Sequence, residues 1–228
     1  MIEEIATRYG AMFVPDADEG QYYWLKNTGA SPEDEHIELV CALLDERPSG
    51  MALDVGANFG CWTLPLAKHA TVVHAFEPQP RVCDLLLRTV TANRPLPVYV
   101  HNVAVGAERG FIQVPNVSLE GTTNFGGVGV GLPHPEQPDA PMVEVAVVTV
   151  DGLVPVLAGE TVSFIKADVE GFEVNVLRGA EKTIRRDRPI LFVECDHPRT
   201  STQELWDLME SLGYAIKQEG NNFLGMPL

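Results

Sequence analysis

Between residues 33 and 102, three stretches of helical period alternate with three short apolar runs, and that alternation restricts the chain to one fold class. Residues 33–46 set Ile37, Val40, Cys41 and Leu44 at helical spacing behind Ser31-Pro32. A strand at 51–55, a helix at 60–68, a strand at 71–76, a leucine-rich helix at 81–93 and a strand at 98–102 follow. Short apolar strands separated by amphipathic helices predict a parallel sheet covered on both faces. The pattern resumes with a strand at 162–166, a helix at 172–186, a strand at 190–194 and a helix at 202–212. Residues 214–217 and 223–224, around Gly220-Asn221, predict a terminal antiparallel hairpin. The expected class is therefore α/β, a doubly wound Rossmann-like sheet. A chain of 228 residues with 45% hydrophobic content fills one such domain and not two.

Two segments stand outside the pattern. Residues 111–114 and 143–150 are β-branched runs flanking a connection over 116–142, which carries Gly121, Gly126, Gly127, Gly129 and Gly131 among several prolines. A connection this long inside one domain is expected to be functional or mobile, here as an enclosure for a substrate. Residues 1–32, aromatic and turn-rich around Tyr22, Tyr23 and Trp24, are expected to form an appendage or lid ahead of a main domain over 33–228.

Charge excludes several partners. The formal net charge of −16 repels a nucleic acid or an anionic membrane surface unless a strong basic patch offsets it. The densest basic run, Lys182, Arg185, Arg186 and Arg188, ends a predicted helix and complements its C-terminus. No run approaches the ~20 apolar residues of a membrane span, and Glu3 and Glu4 precede any apolar run, unlike a secretory signal. Cys41, Cys61, Cys83 and Cys195 are scattered without a CxxC pair, so neither zinc nor a disulfide framework is expected and a reducing cytoplasm fits.

The chemistry concentrates at strand ends. The strand at 51–55 runs into Asp54-Val55-Gly56-Ala57-Asn58-Phe59-Gly60 and then a helix. A glycine turn there lets a ligand lie against backbone at the carboxyl edge of the sheet, and Gly56 is expected to need a freedom or close approach that a Cβ forbids. Glu77 ends the next strand roughly 20 residues on, where an acid binds ribose hydroxyls. A dinucleotide pyrophosphate asks for glycine where Asn58 stands, and Asp54 is a poor neighbour for phosphates. S-adenosylmethionine has no phosphate and carries an ammonium and a sulfonium, so an acidic strand end suits it.

These stretches resemble the FkbM-type methyltransferases. The matching residues are Leu53-Asp54-Val55-Gly56-Ala57-Asn58-Phe59-Gly60, Ala75-Phe76-Glu77-Pro78, Asn102-Val103-Ala104-Val105-Gly106, Asn124-Phe125-Gly126-Gly127 and Thr149-Val150-Asp151. Most specific is Phe164-Ile165-Lys166-Ala167-Asp168-Val169-Glu170-Gly171-Phe172-Glu173, followed by Val176-Leu177-Arg178-Gly179-Ala180 and residues 189–194. The resemblance implies a seven-stranded methyltransferase fold using S-adenosylmethionine, with O-methylation of sugar, polyketide or lipid-linked hydroxyls as the usual activity. It also implies that Asn102, Val103 and Ala104 lie near the adenine and that the Asp168 motif lies beside the cofactor.

Acids converge from four strand ends: Asp54, Glu77, Asp168 with Glu170, and Glu194 with Asp196. Lys166, Asp168 and Glu170 alternate, so they share a face if the extended chain persists. Methyl transfer to a hydroxyl needs two aligned centres and an acceptor for the proton. Asp168 and His197 are the candidate bases, with Lys166 holding the carboxylates together and no metal expected for want of a dense ligand motif. Rival expectations are an N- or C-methyltransferase, a NAD-binding oxidoreductase and a non-catalytic S-adenosylmethionine-binding module. The expected acceptor is a small metabolite, a glycan or a polyketide.

Overall fold

The computed structural model describes residues 1–120, 124–129, 131–155, 157, 160–195 and 200–228. It begins with an antiparallel hairpin, β1 (Ile2–Ala6) and β2 (Ala11–Pro15), and a short helix, α1 (Tyr22–Thr28). The wound unit follows as α2 (Asp34–Asp45), β3 (Met51–Val55), α3 (Thr63–Leu66), β4 (Val72–Phe76), α4 (Pro80–Ala92) and β5 (Val98–His101). A second, three-stranded sheet then interrupts it: β6 (Ala104–Val105), β7 (Gly110–Pro115) and β8 (Met142–Val148), in the order β6-β8-β7. The rest comprises α5 (Val150–Leu153), β9 (Val162–Ala167), α6 (Glu173–Gly179), α7 (Glu181–Asp187), β10 (Ile190–Glu194), α8 (Thr202–Ser211), β11 (Tyr214–Glu219) and β12 (Asn222–Pro227).

The main sheet has seven strands in the order β11-β12-β10-β9-β3-β4-β5, parallel except for the C-terminal hairpin. This is the expected seven-stranded α/β fold. Alternation along the central strands divides the core into two layers. Ala52 and Phe164 face a cluster built from α2, α3, α4 and the N-terminal segment, with Ile37, Leu44, Trp62 and Leu85. Leu53 and Ile165 face the other cluster, with Leu177, Ile184, Leu205 and Met209 from α6, α7 and α8. Each fully buried Leu, Ile, Phe or Met among them stabilises by roughly 1.5–3 kcal/mol, which anchors the central strands beneath the site.

The N-terminal segment joins that core. Ile5, Tyr9, Met12, Val14 and Leu25 are buried in the same cluster as α2 and α3, and the Phe13 amide donates to Thr89 Oγ1 of α4 at 3.1 Å. Two expectations need correction. Residues 172–186 form two helices, not one: α6 ends at Gly179, a poor helix former whose backbone runs so close to the Gly106 carbonyl that a Cβ would sit 2.0 Å from its oxygen. The expected helix at 60–68 contracts to α3 with turns around it. Among the described residues, no helix is long and apolar enough to cross a membrane.

Candidate functional site

Register brings the carboxyl ends of the central strands to one level: Val55 pairs with Phe76 on one side and with Ala167 on the other, and Ala167 pairs with Val193. The chain leaves β3 through Gly56, Asn58 and Gly60, with φ of 81°, 48° and 100°. Gly56 does require the absence of a Cβ, and the close neighbour is the protein's own backbone: the Asp168 carbonyl oxygen would lie 1.8 Å away. Gly60 packs against Leu86 of α4 and lies outside the cavity lining.

A cavity of about 290 Å³ opens over these strand ends. Of the residues expected at the site, Gly56, Asn58, Glu77, Val103, Ala104, Asp168 and Glu170 line it. Asp54 and Lys166 are buried behind the wall, and Asn102 is exposed outside the lining. Asn102 Nδ2 donates to the Glu77 carbonyl at 2.9 Å and to the Pro78 carbonyl at 3.1 Å, so it braces the acidic turn. His197 and Asp196 lie outside the described residues.

Glu77 is buried, and both its oxygens face main-chain donors: the Asn58 amide at 3.0 Å and the Gln79 amide at 2.9 Å. Burial pushes its pKa up to about 7 against the opposing pull of those two amides and of Lys166. Each carboxylate oxygen accepts more than one hydrogen bond, so capacity remains for ligand hydroxyls.

Lys166 is the buried cation of the site, 3% exposed. Its Nζ donates to Asp168 Oδ2 at 3.0 Å and to the Gly56 carbonyl at 3.1 Å, and lies 3.9 Å from Asp54 Oδ1. Burial alone would depress its pKa, yet Asp168, Asp54 and Glu33 hold it above the usual lysine value. Asp54 is fully buried, and burial raises its pKa while Lys166 and the Thr63 hydroxyl, at 2.5 Å, oppose that rise. The expected run of side chains on one face stops early. β9 ends at Ala167, and Glu170 takes a left-handed φ of 53°, so only Lys166 and Asp168 keep the alternation.

Glu33, Gln79 and Gly20-Gln21 also line the cavity and went unread in the sequence. Glu33 reads as an ordinary acid before a helix. Gln79 carried a usable signal, standing two residues past Glu77. Its Nε2 donates to the Phe125 carbonyl at 2.8 Å, and its Oε1 has no hydrogen-bond partner. The Phe125 amide in turn donates to the buried Asp18 at 3.3 Å, and the Phe125 ring is buried beside Phe59, 6.2 Å between centroids. The inner part of the 116–142 connection is thereby fastened to the N-cap of α4 and to the N-terminal segment. Cys61 and Cys195 are buried, and burial pushes the Cys61 thiol well up, which leaves it a packing residue. Among the described residues, no group of acids, histidines and cysteines is placed to hold a metal ion.

Five carboxylates, Glu33, Glu77, Asp168, Glu170 and Glu194, line the cavity, and no lysine, arginine or histidine does so among the described residues. Comparison with known proteins gives this arrangement a context. The family described as the methyltransferase FkbM domain matches residues 54–216. No curated protein matches the chain in sequence. A solved FkbM methyltransferase from Methylobacillus flagellatus superposes with a TM-score of 0.54 at 20% identity, over 78% of this chain. This chain covers 43% of that longer protein. A precorrin-6y C5,15-methyltransferase from Geobacter metallireducens gives 0.50 at 8% identity, over 86% of this chain and 89% of that one. Trm5b from Pyrococcus abyssi gives 0.50 at 10% identity, over 99% of this chain and 54% of that one. At these identities, the likeness is one of fold.

Proposed function

This chain belongs to the methyltransferase FkbM domain family, and we propose that it moves the methyl group of S-adenosylmethionine onto a hydroxyl oxygen of a small metabolite, glycan or polyketide. The observation that carries this reading is the cavity lined by five carboxylates and, among the described residues, no basic side chain. A dinucleotide would set its pyrophosphate against like charges at short range. A phosphate-free nucleoside with a cationic end meets the opposite. Glu77 would take the ribose hydroxyls, Gly56 and Asn58 would form the floor, and Val103 and Ala104 would flank the adenine.

When bound, S-adenosylmethionine supplies a methyl group activated by its sulfonium. The chain's own residues then have two tasks. The wall formed by Asn124, Gly126 and Gly127 holds the acceptor in line, converting an encounter into a positioned reaction. Asp168, at the cavity edge, accepts the hydroxyl proton, with His197 as the alternative base. Lys166 fixes the Asp168 carboxylate through their 3.0 Å contact. A cytoplasmic setting accompanies the reading.

Calorimetry with S-adenosylmethionine, S-adenosylhomocysteine and NAD tests the cofactor. The first two should bind and NAD should not. Binding of NAD with no response to S-adenosylhomocysteine would make the protein an oxidoreductase-type binder instead.

A further inference from the structure

Glu33 occupies the N-cap of α2 and yet makes no capping hydrogen bond with its side chain. Helix ends are capped mainly by Ser, Thr, Asp and Asn side chains, and this longer carboxylate is not engaged at the helix end. Its backbone is fixed: the Glu33 amide donates to Ser31 Oγ at 3.2 Å, the Ser31 amide to the Tyr9 hydroxyl at 3.0 Å, and that hydroxyl to Asp34. The side chain lines the cavity, and its Oε1 is buried without a hydrogen-bond partner.

Its electrostatic neighbours are Lys166 and Asp168 from the end of β9 and Asp54 from β3, with the Trp62 indole of the β3–α3 turn beside it. Three carboxylates therefore gather around one ammonium. Burial raises the Glu33 pKa, Asp168 and Asp54 raise it further, and Lys166 and the Trp62 indole N–H oppose them. A buried excess of negative charge is costly until a proton or a second cation offsets it. Asn58 and Gln79 fasten Glu77 at one part of the cavity wall, while Lys166, bonded to the Gly56 carbonyl, marks the acidic part. Glu77 and Glu33 line the same cavity, so a nucleoside with its ribose on Glu77 has Glu33 among the groups open to its amino-acid arm.

We propose that Glu33 is the counter-ion of the α-ammonium group on the cofactor's amino-acid end, an assignment that rests on the S-adenosylmethionine reading above. Glu33 is then a binding residue that enters from outside the strand-end motifs, and it couples the start of α2 to cofactor occupancy.

The test compares S-adenosylhomocysteine with 5′-methylthioadenosine, which keeps the adenosine and the thioether but has no ammonium. Calorimetry is run on the whole chain. Glu33→Gln should weaken S-adenosylhomocysteine about tenfold to a hundredfold, the worth of a hydrogen bond to a charged group, and leave 5′-methylthioadenosine within about twofold. Glu33→Asp keeps the charge on a shorter arm and should show the same selective loss, smaller in size. It carries the comparison if Glu33→Gln does not fold. Unchanged affinity for S-adenosylhomocysteine, or an equal loss for both ligands, would overturn the assignment. A parent protein that binds neither ligand would overturn the cofactor reading, and the Glu33 assignment with it.

Discussion

Gly56 backs onto the main chain of Asp168, so closely that a Cβ on the glycine would lie 1.8 Å from the aspartate carbonyl oxygen. The same pair of strand ends is tied by the Asp168 amide donating to the Val55 carbonyl at 3.1 Å and by Lys166 donating to the Gly56 carbonyl. The first glycine of the turn is thus fixed by protein packing before any ligand arrives. Gly56 also sits at a φ of 81°, where a side chain adds about 1–3 kcal/mol of strain.

Gly56→Ala should therefore cost stability as well as cofactor affinity. With about 2–4 °C lost per kcal/mol for a chain of this size, the melting temperature should fall by roughly 5–10 °C. A thermal scan of the ligand-free protein decides the matter. An unchanged melting temperature with lost binding would mean that the glycine serves the ligand alone.

With Glu77 on the ribose, as proposed, its burial should make cofactor affinity depend on pH in a defined direction. Its pKa is raised to about 7 in the free protein, and ribose hydroxyls donate to the ionised form. Affinity for S-adenosylmethionine should rise with pH through about 7 and level off above it. For the ligand-free fold the sign is opposite. A carboxyl with a folded pKa above its unfolded value of 4.5 contributes stability at low pH that is lost as pH climbs through about 7. Glu77→Ala should weaken S-adenosylmethionine about tenfold to a hundredfold and flatten the affinity profile. Equal affinity at about pH 6 and about pH 8 in the parent would sink this assignment.

The parallel core was legible because its signals are local. Residues 51–55, 72–76 and 162–167 are apolar enough to be buried on both faces, and the helices between them carry a helical period. What escaped depends on distant partners. β1 and β2 find each other across a turn and owe their burial to α4, which lies about 70 residues further along. The break after Gly179 had a local signal in the glycine itself, but its close approach to the Gly106 carbonyl is not visible in the sequence. Of the site, Gly56, Glu77 and Asp168 announce themselves by their place at strand ends. Glu33 does not, because only the packing of α2 over β3 and β9 brings it beside Lys166.

His134 governs the inner part of the long connection. It is 1% exposed, its Nε2 donates to the Asn124 carbonyl at 3.0 Å, and its Nδ1 accepts from the Glu136 amide at 3.1 Å. His134→Ala leaves that carbonyl without its donor, a loss of about 1–3 kcal/mol, and frees the Asn124–Gly127 wall. Amide exchange over residues 124–128 should quicken, and turnover of the acceptor should fall more than affinity for S-adenosylmethionine. Unaltered exchange there would show that Phe125, Asp18 and Gln79 suffice to hold the wall.

Asp168 can be neutralised without dismantling its surroundings, which makes the base assignment testable. Its Oδ2 is 3.0 Å from Lys166 Nζ, but Lys166 keeps Asp54 at 3.9 Å and the charge of Glu33 when Asp168 becomes neutral. The fold should survive Asp168→Asn. Lys166→Met is the contrast: it strands Asp54, fully buried, without a counter-ion, and breaking a buried pair in this way costs about 3–5 kcal/mol. Asn keeps the size and one acceptor oxygen of Asp but cannot take a hydroxyl proton at neutral pH. With an acceptor in hand, Asp168→Asn should lower the turnover number by about 10²–10⁴, with a melting temperature near that of the parent and a smaller change in cofactor affinity. His197→Ala is measured beside it. If His197→Ala is inactive while Asp168→Asn keeps most of its activity, histidine is the base and Asp168 serves to orient Lys166. If both variants turn over at the parent rate, the proton leaves to solvent, and the chain accelerates transfer through alignment of the two centres alone.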